Sequence, residues 1–416
     1  MELYSRSNEI MYKRTLKNIV EQTSDTFPAV MITGPRQVGK TTLFESCAEE
    51  GRTYVSLDDL EARALANTDP ELFIQRYPPP VIIDEVQYAP NLFSHIKIVI
   101  DREKKNGLYW LTGSQKFLLM KGITESLAGR VALLNLLGLS QAEISGHAVV
   151  EPFLPTNNWL AKTKITVKKP LSLEKIYEHI WLGSFPKLYQ EKKISRDIFY
   201  QSYLATYIQR DVKDILAISD EIAFLRFLRA IAARTATLLN YADIARDVGI
   251  DQKTVKSWLS ILEAAGLVYL LQPYYNNVYS RLLKTPKLYF LDLGLCSYLT
   301  KWPDAKTIEV GSMSGAFLET YVFAEILKSY WFNGIEPNFY YYRDTDQKEV
   351  DLLIERGDTL YPVEIKKTAS PSLTASKHFA VLEKLGKKIG HGAVLCFVRE
   401  DVALSKQVTA IPIGYL

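Results

Sequence analysis

Cysteine is scarce in this sequence. Only Cys47, Cys296 and Cys396 occur, far apart and with no CxxC pair among them. That excludes a disulfide framework and a cysteine-based zinc site, and it predicts a reducing, cytoplasmic setting. Long apolar runs are missing as well. No stretch reaches the roughly 18 residues of a membrane-spanning helix, so no membrane partner is expected. The opening MELYSRSNEIMYKR lacks the apolar core of a secretory signal. Excess charge is also lacking. Lys and Arg number 50 against 47 Asp and Glu, a net charge of +3. Any nucleic-acid surface therefore has to be a local patch. What remains is an ordinary globular composition, 47% hydrophobic and 23% charged, without repeats or low-complexity tracts. At 416 residues the chain exceeds one compact core, and about two to four domains are expected.

Residues 27–150 alternate strand-like apolar runs with helix-compatible stretches. The runs lie at 27–33, 54–57, 81–84, 108–112 and 131–136. That rhythm predicts a parallel sheet covered by helices. Residues 151–170, rich in Pro, Asn and Lys, read as a linker. Helical spacing dominates 171–232, and 236–275 reads as a small helical unit ending in a strand. From 311 the pattern is mixed: a helix near 316–330, two strands, a helix near 374–385 and a strand at 393–398. The expected fold class is α/β and multidomain, with units at 1–150, 151–232, 233–310 and 311–416.

Gly34-Pro35-Arg36-Gln37-Val38-Gly39-Lys40-Thr41, followed by Thr42, fits GxxxxGK[ST]. Its context carries more weight than its letters. The run AVMIT leads straight into it, and the helix-compatible TTLFESCAEE follows. Strand, loop and helix in that order make a phosphate-binding P-loop. Glycines let backbone N–H groups turn inward round the phosphates of ATP, and the helix aims its positive end at them. Lys40 would reach the β- and γ-phosphates, and Thr41 would hold Mg²⁺. The bland alternative is a chance match in a glycine turn. Val81-Ile82-Ile83-Asp84-Glu85 argues against it. There a strand ends in two acids, Asp84 for the water shell of Mg²⁺ and Glu85 to polarise the attacking water. A third strand ends in Leu111-Thr112-Gly113-Ser114-Gln115, where Ser114 or Gln115 is a candidate neighbour of the γ-phosphate. Arg130, in SLAGR, is a candidate for phosphate contact in its own subunit or a neighbour's, which leaves a homo-oligomer open. A simple loop and a solvated arginine are the alternatives at these two places.

Farther on, residues 241–250 read as a short helix and a Gly turn. A second helix follows, with Asp251 as its N-cap, and then a strand, GLVYLL. That is the layout of a winged helix. In a DNA reader, Gln252, Lys253, Lys256 and Ser257 would face the groove; packing between domains is the alternative. Near the C-terminus stand Glu319 on a helix, Asp351 in KEVDLLIE, and Glu364 with Lys366 in YPVEIKK. Glu364 and Lys366 are two apart on a strand and share a face. The run 355–359 reads as a hairpin turn that brings Asp351 near Glu364. Two carboxylates and a lysine on one face can hold Mg²⁺ or Mn²⁺ for phosphodiester hydrolysis, with Glu319 completing the shell. The alternative is an amphipathic sheet, with Val350, Leu352, Val363 and Ile365 inward and the charges in water.

Taken together, GPRQVGKTTL, VSLDD, DPELF, VIIDEVQ, LTGSQ, SLAGR, GSFP, YIQRD, KLYFLDLGL, GAFLETYVFAEI, EVDLLI and VEIK resemble one known group across nearly the whole chain. These are the prokaryotic AAA-type ATPases of the AAA_14 type with a C-terminal DUF4143 domain. The resemblance implies a P-loop ATPase domain, a winged-helix middle and a C-terminus similar to the PD-(D/E)xK nuclease fold. It puts Asp351, Glu364 and Lys366 on that fold's core positions and Glu319 on its helical acid. Gly183-Ser184-Phe185-Pro186 and the pair Arg210-Asp211 recur in the pattern with no chemical role assigned. Two functions are expected. The first is an ATP-hydrolysing enzyme acting on DNA with a metal-dependent nuclease domain. The second is an ATP-switched regulator that binds DNA or protein and does not cleave.

Overall fold

The computed structural model describes residues 12–114, 126–147, 151–191, 193–207, 220–275 and 285–416. In its N-terminal part five parallel strands lie in the order β2-β3-β4-β1-β5. They are β1 (Ala29–Thr33), β2 (Thr53–Ser56), β3 (Val81–Asp84), β4 (Tyr109–Gly113) and β5 (Val131–Asn135). All five residues of β1 are buried, as expected of a central strand covered by helices on both faces. Parallel pairing aligns the carboxyl ends. Thr33 pairs with both Gly113 and Asn135, and Ser56 with Asp84, so the loops after β1, β3 and β4 open on one edge.

The middle is helical apart from a small antiparallel sheet ordered β6-β8-β7, from β6 (Thr237–Leu238), β7 (Val268–Leu271) and β8 (Lys287–Phe290). Helices Tyr241–Val248 and Gln252–Ala264 precede β7, and the Asp251 carboxylate caps the second by accepting from Thr254 N. The stretch expected as a linker is partly ordered: Asn157–Thr166 is a helix. The Thr156 hydroxyl caps it, and burial of Trp159 and Leu160 holds it down. Asp292 explains the Gly-Ser-Phe-Pro tract. Its carboxylate accepts from Ser184 N at 2.8 Å and Ser184 Oγ at 2.7 Å, and caps the helix Leu293–Leu299. Gly183 is obligatory, at φ +87° with room for no Cβ beside the Tyr200 hydroxyl. Arg210 and Asp211 lie outside the described residues.

The C-terminal part sets the long helix Ser314–Trp331 against a sheet ordered β14-β15-β13-β11-β10-β9, with β12 (Lys388–Ile389) beside β11. Its other strands are β9 (Phe339–Arg343), β10 (Glu349–Arg356), β11 (Thr359–Ile365), β13 (Gly392–Cys396), β14 (Val402–Ala403) and β15 (Val408–Pro412). β10 and β11 form the expected hairpin, and β11, β13 and β15 run parallel. The helix expected near 374–385 is a series of 3₁₀ turns, Leu373–Leu385. One apolar core runs from Val30 and Ile32 through Phe185 and Tyr200 to Phe323 and Ile411, so the three parts are packed as one body. Among the described residues, no helix is long and apolar enough to cross a membrane.

Candidate nucleotide site and buried acidic centre

The loop after β1 has the backbone of a phosphate cradle. Gly34 stands at φ +147°, and a Cβ there would lie 1.9 Å from the Leu136 carbonyl oxygen. Gly39, at φ +90°, opens the helix Lys40–Cys47. The Lys40 ammonium is 7% exposed and donates to the carbonyls of Gly34 at 3.0 Å and Pro35 at 2.8 Å. The Thr41 hydroxyl donates to Asp84 Oδ1 at 2.8 Å. Thr112 donates to the same oxygen, and Tyr54 donates to Asp84 Oδ2 at 3.2 Å. Glu85 adopts the left-handed conformation, φ +55°, a costly geometry for a non-glycine residue. Gln87 and, at 3.5 Å, Ser114 donate to its Oε2. The ends of β1, β3 and β4 thus bring Lys40, Thr41, Asp84, Glu85 and Ser114 together. Gln115 lies outside the described residues.

An open cleft of about 490 Å³ fronts these groups, walled by Arg36, Gln37, Thr42 and Glu85 and, from the helical middle, by Thr206. A second hollow of about 390 Å³ shares Gln37, Gly39 and Thr42 with it and reaches Tyr12, Pro186 and Lys187. Sequence reading missed this half; Pro186, closing the Gly-Ser-Phe-Pro tract, was its one signal. Arg130 is a correction. It precedes β5 at the amino edge of the sheet, opposite the P-loop, and Asp101 takes its guanidinium at 2.7 and 3.1 Å. It does not reach the nucleotide cleft of its own chain.

Arg14 went unnoticed too, because nothing in its local sequence marks it. Its guanidinium donates to the P-loop carbonyl of Val38 at 2.7 Å and to Leu137 O at 2.8 Å. It pairs with Glu143 at 3.1 Å and lies over the Phe332 ring. Glu143 closes a capping box with Ser140, and the next contact leads onward: Gln141 N donates to Glu325 Oε2 at 2.8 Å. Lys328 donates to Glu325 and to Leu139 O. Buried polar contacts therefore connect the P-loop to the helix Ser314–Trp331, which also carries Glu319.

The C-terminal acids do converge, but on lysines. Register between β9 and β10 shifts between Val350 and Leu353, a bulge that re-aims Asp351. Val350 consequently falls in one core and Leu352, Val363 and Ile365 in the other, so both sheet faces are covered. This corrects the expected amphipathic sheet with charges in water: Glu364 is only 5% exposed. Asp351 Oδ2 accepts from Ile365 N at 2.8 Å. Lys366 donates to Glu364 Oε1 at 2.5 Å, while Glu364 Oε2 is buried without a partner. Lys287, from β8, enters from the middle of the chain and meets both Glu319 and Glu349 at 2.7 Å. Burial pushes the Glu364 carboxyl up to about 8 and Glu319 up to about 7, with Asp351 adding to both and the lysines opposing. Burial also raises Asp351. Lys287 stays protonated above the usual lysine range, since Glu319, Asp351 and Glu349 outweigh its desolvation. Among the described residues, no group of three or more His, Cys, Asp or Glu side chains is arranged to hold a metal ion. That corrects the expected shell of Glu319, Asp351 and Glu364: Lys287 takes Glu319, Lys366 takes one oxygen of Glu364, and the Ile365 amide holds Asp351. Gln252, Lys253, Lys256 and Ser257 are all exposed on their helix.

Residues 26–145 match the model of an AAA domain, AAA_14. Residues 173–306 and 314–416 match two domains of unknown function, DUF8612 and DUF4143. Over 390 residues the chain is 27% identical to the uncharacterized proteins Rv2008c of Mycobacterium tuberculosis and Mb2031c of Mycobacterium bovis, covering 92% of this chain and 80% of each relative. A similar solved structure is the Walker-type ATPase PABY2304 of Pyrococcus abyssi. It is 15% identical with a TM-score of 0.45, over 72% of this chain and 98% of that one.

Proposed function

From an AAA domain at residues 26–145 and a DUF4143 domain at 314–416, we propose that the chain is an ATP-driven switch. It binds ATP with Mg²⁺ beside the P-loop, hydrolyses it, and passes the nucleotide state to its C-terminal domain. The observation that carries this reading is the meeting of Lys40, Thr41 and Glu85 in one cleft, with Asp84 hydrogen-bonded to Thr41 beside it. The Lys40 ammonium rests on two neutral carbonyls, and an entering phosphate offers it stronger, charged acceptors. The Thr41 hydroxyl and the Asp84 carboxylate form a hard oxygen pair that suits Mg²⁺. Held by these two groups, Mg²⁺ would neutralise charge that develops on the phosphates. Glu85, oriented by Gln87 and Ser114, takes a proton from the attacking water. Arg14 ties the loop to Glu143 and thence to Glu325, which supports a route for the switch.

For the C-terminal half, the charge pairing by Lys287 and Lys366 supports the reading that does not cleave. The partner of this reading is DNA, with the exposed face of the Gln252–Ala264 helix as one contact and the layout of a winged helix behind it. Purified chain incubated with single- and double-stranded DNA, with Mg²⁺ or Mn²⁺ and ATP, tests both halves. ATP turnover without strand scission is expected. Scission that Asp351→Ala abolishes would establish the nuclease instead.

A further inference from the structure

The carboxyl ends of β11, β13 and β15 open on one edge of the C-terminal sheet, the edge where open α/β sheets gather ligands. A broad groove of about 990 Å³ lies there, between residues 164–173 and the loop 396–400. Four cations line it, Lys164, Lys168, Lys169 and Arg399, against a single acid, Glu400. Asp401 holds Lys164. Lys168, Lys169 and Arg399 are exposed, and none has a carboxylate partner among the described residues. The partly exposed ring of Phe397 forms part of the wall, and Tyr415 beside it is buried in the core. Phe397 N donates to Thr368 O at 2.8 Å, so this wall continues into the segment that leaves β11 just past Glu364 and Lys366.

We propose that this groove binds single-stranded nucleic acid, with its cations on the phosphodiester backbone and the Phe397 ring against an unstacked base. Cations strung along opposite walls suit a linear polyanion better than one small anion, which needs donors converging on a point. Aromatic surface beside such a track is the chemistry of strand binding, because every base offers a π-face. The site is separate from the Gln252–Ala264 helix, and it needs neither ATP hydrolysis nor strand cleavage.

Fluorescence anisotropy of the full chain with an oligo(dT) of about 20 nucleotides tests it, across salt from about 50 to about 200 mM. The wild type should bind, with affinity falling as salt rises. Lys168→Glu/Lys169→Glu/Arg399→Glu should weaken binding at least about tenfold and flatten the log–log salt slope by about 2, at roughly 0.7 per phosphate contact. The milder Lys168→Gln/Lys169→Gln should flatten it by about 1.4. ATP turnover should be unchanged in both variants, which separates lost binding from lost fold. Lys253→Glu/Lys256→Glu should leave oligo(dT) binding intact. Unaltered affinity and slope in the triple variant would overturn the proposal. So would loss that follows Lys253 and Lys256, or equal binding of a poly-glutamate peptide.

Discussion

Lys287 and Glu319 form an ion pair at 2.7 Å that joins two parts of the chain, β8 of the middle and the helix Ser314–Trp331 of the C-terminal domain. Both side chains sit among further ionisable groups, Glu349, Asp351, Glu364 and Lys366. Removing one partner strands the others without water, and that asymmetry governs what substitution does here. Lys287→Met should destabilise the protein by about 3–5 kcal/mol. Adding Glu319→Gln should recover part of the loss. Urea unfolding of the two variants checks this, and an unchanged midpoint for Lys287→Met would show the pair to be dispensable.

The acids also predict a pH dependence. Glu364 and Glu319 titrate near 8 and near 7 in the folded chain, above the ordinary carboxyl value. Folding therefore favours their protonated forms. The stability they contribute is full below the unfolded value of about 4.3 and is lost as pH rises through about 7 to 8. Glu364→Gln should match the wild-type Tm near pH 5 and exceed it near pH 8. A wild-type Tm that rises over that interval relative to Glu364→Gln would contradict the assignment.

Arg14 gives a third expectation. Arg14→Ala removes the clamp on Val38 and leaves Glu143, buried and capping its own helix, without its cation. Such a loss typically costs about 3–5 kcal/mol. It should also disconnect the P-loop from the helix Ser314–Trp331. Amide exchange in 314–331 should slow when a non-hydrolysable ATP analogue binds the wild type. It should not respond in Glu325→Gln, where the clamp is intact and only the onward contact is weakened. Equal responses in both proteins would remove this route from the account.

Legibility in the sequence followed the range of the interactions. The P-loop could be read because strand, glycine loop and helix are contiguous, so local chemistry specifies the site. Asp84 and Glu85 could be read because an apolar strand points at them. The β10–β11 hairpin was visible in its turn residues. The helix Asn157–Thr166 was hidden, because its Thr156 cap and two buried anchors sit in a polar, Pro-flanked stretch. Arg14 and Lys287 were hidden for a different reason. Their partners lie far away in sequence, at Glu143 and Glu319, and only the packing of the whole chain brings them together. The acidic centre was legible as a set of residues and misleading as a metal shell, since the lysine that enters it comes from another part of the fold.

The proposed ATP hydrolysis depends on Glu85, which meets Lys40, Thr41 and Asp84 at the carboxyl edge of the N-terminal sheet. Steady-state ATP hydrolysis by the wild type and by Glu85→Gln, with ATP binding followed on the same samples, tests it most directly. Mg²⁺-dependent turnover is expected in the wild type. Glu85→Gln should retain ATP binding and lose about 10²- to 10⁴-fold in turnover, the usual contribution of a general base. Turnover at the wild-type level in Glu85→Gln would contradict it.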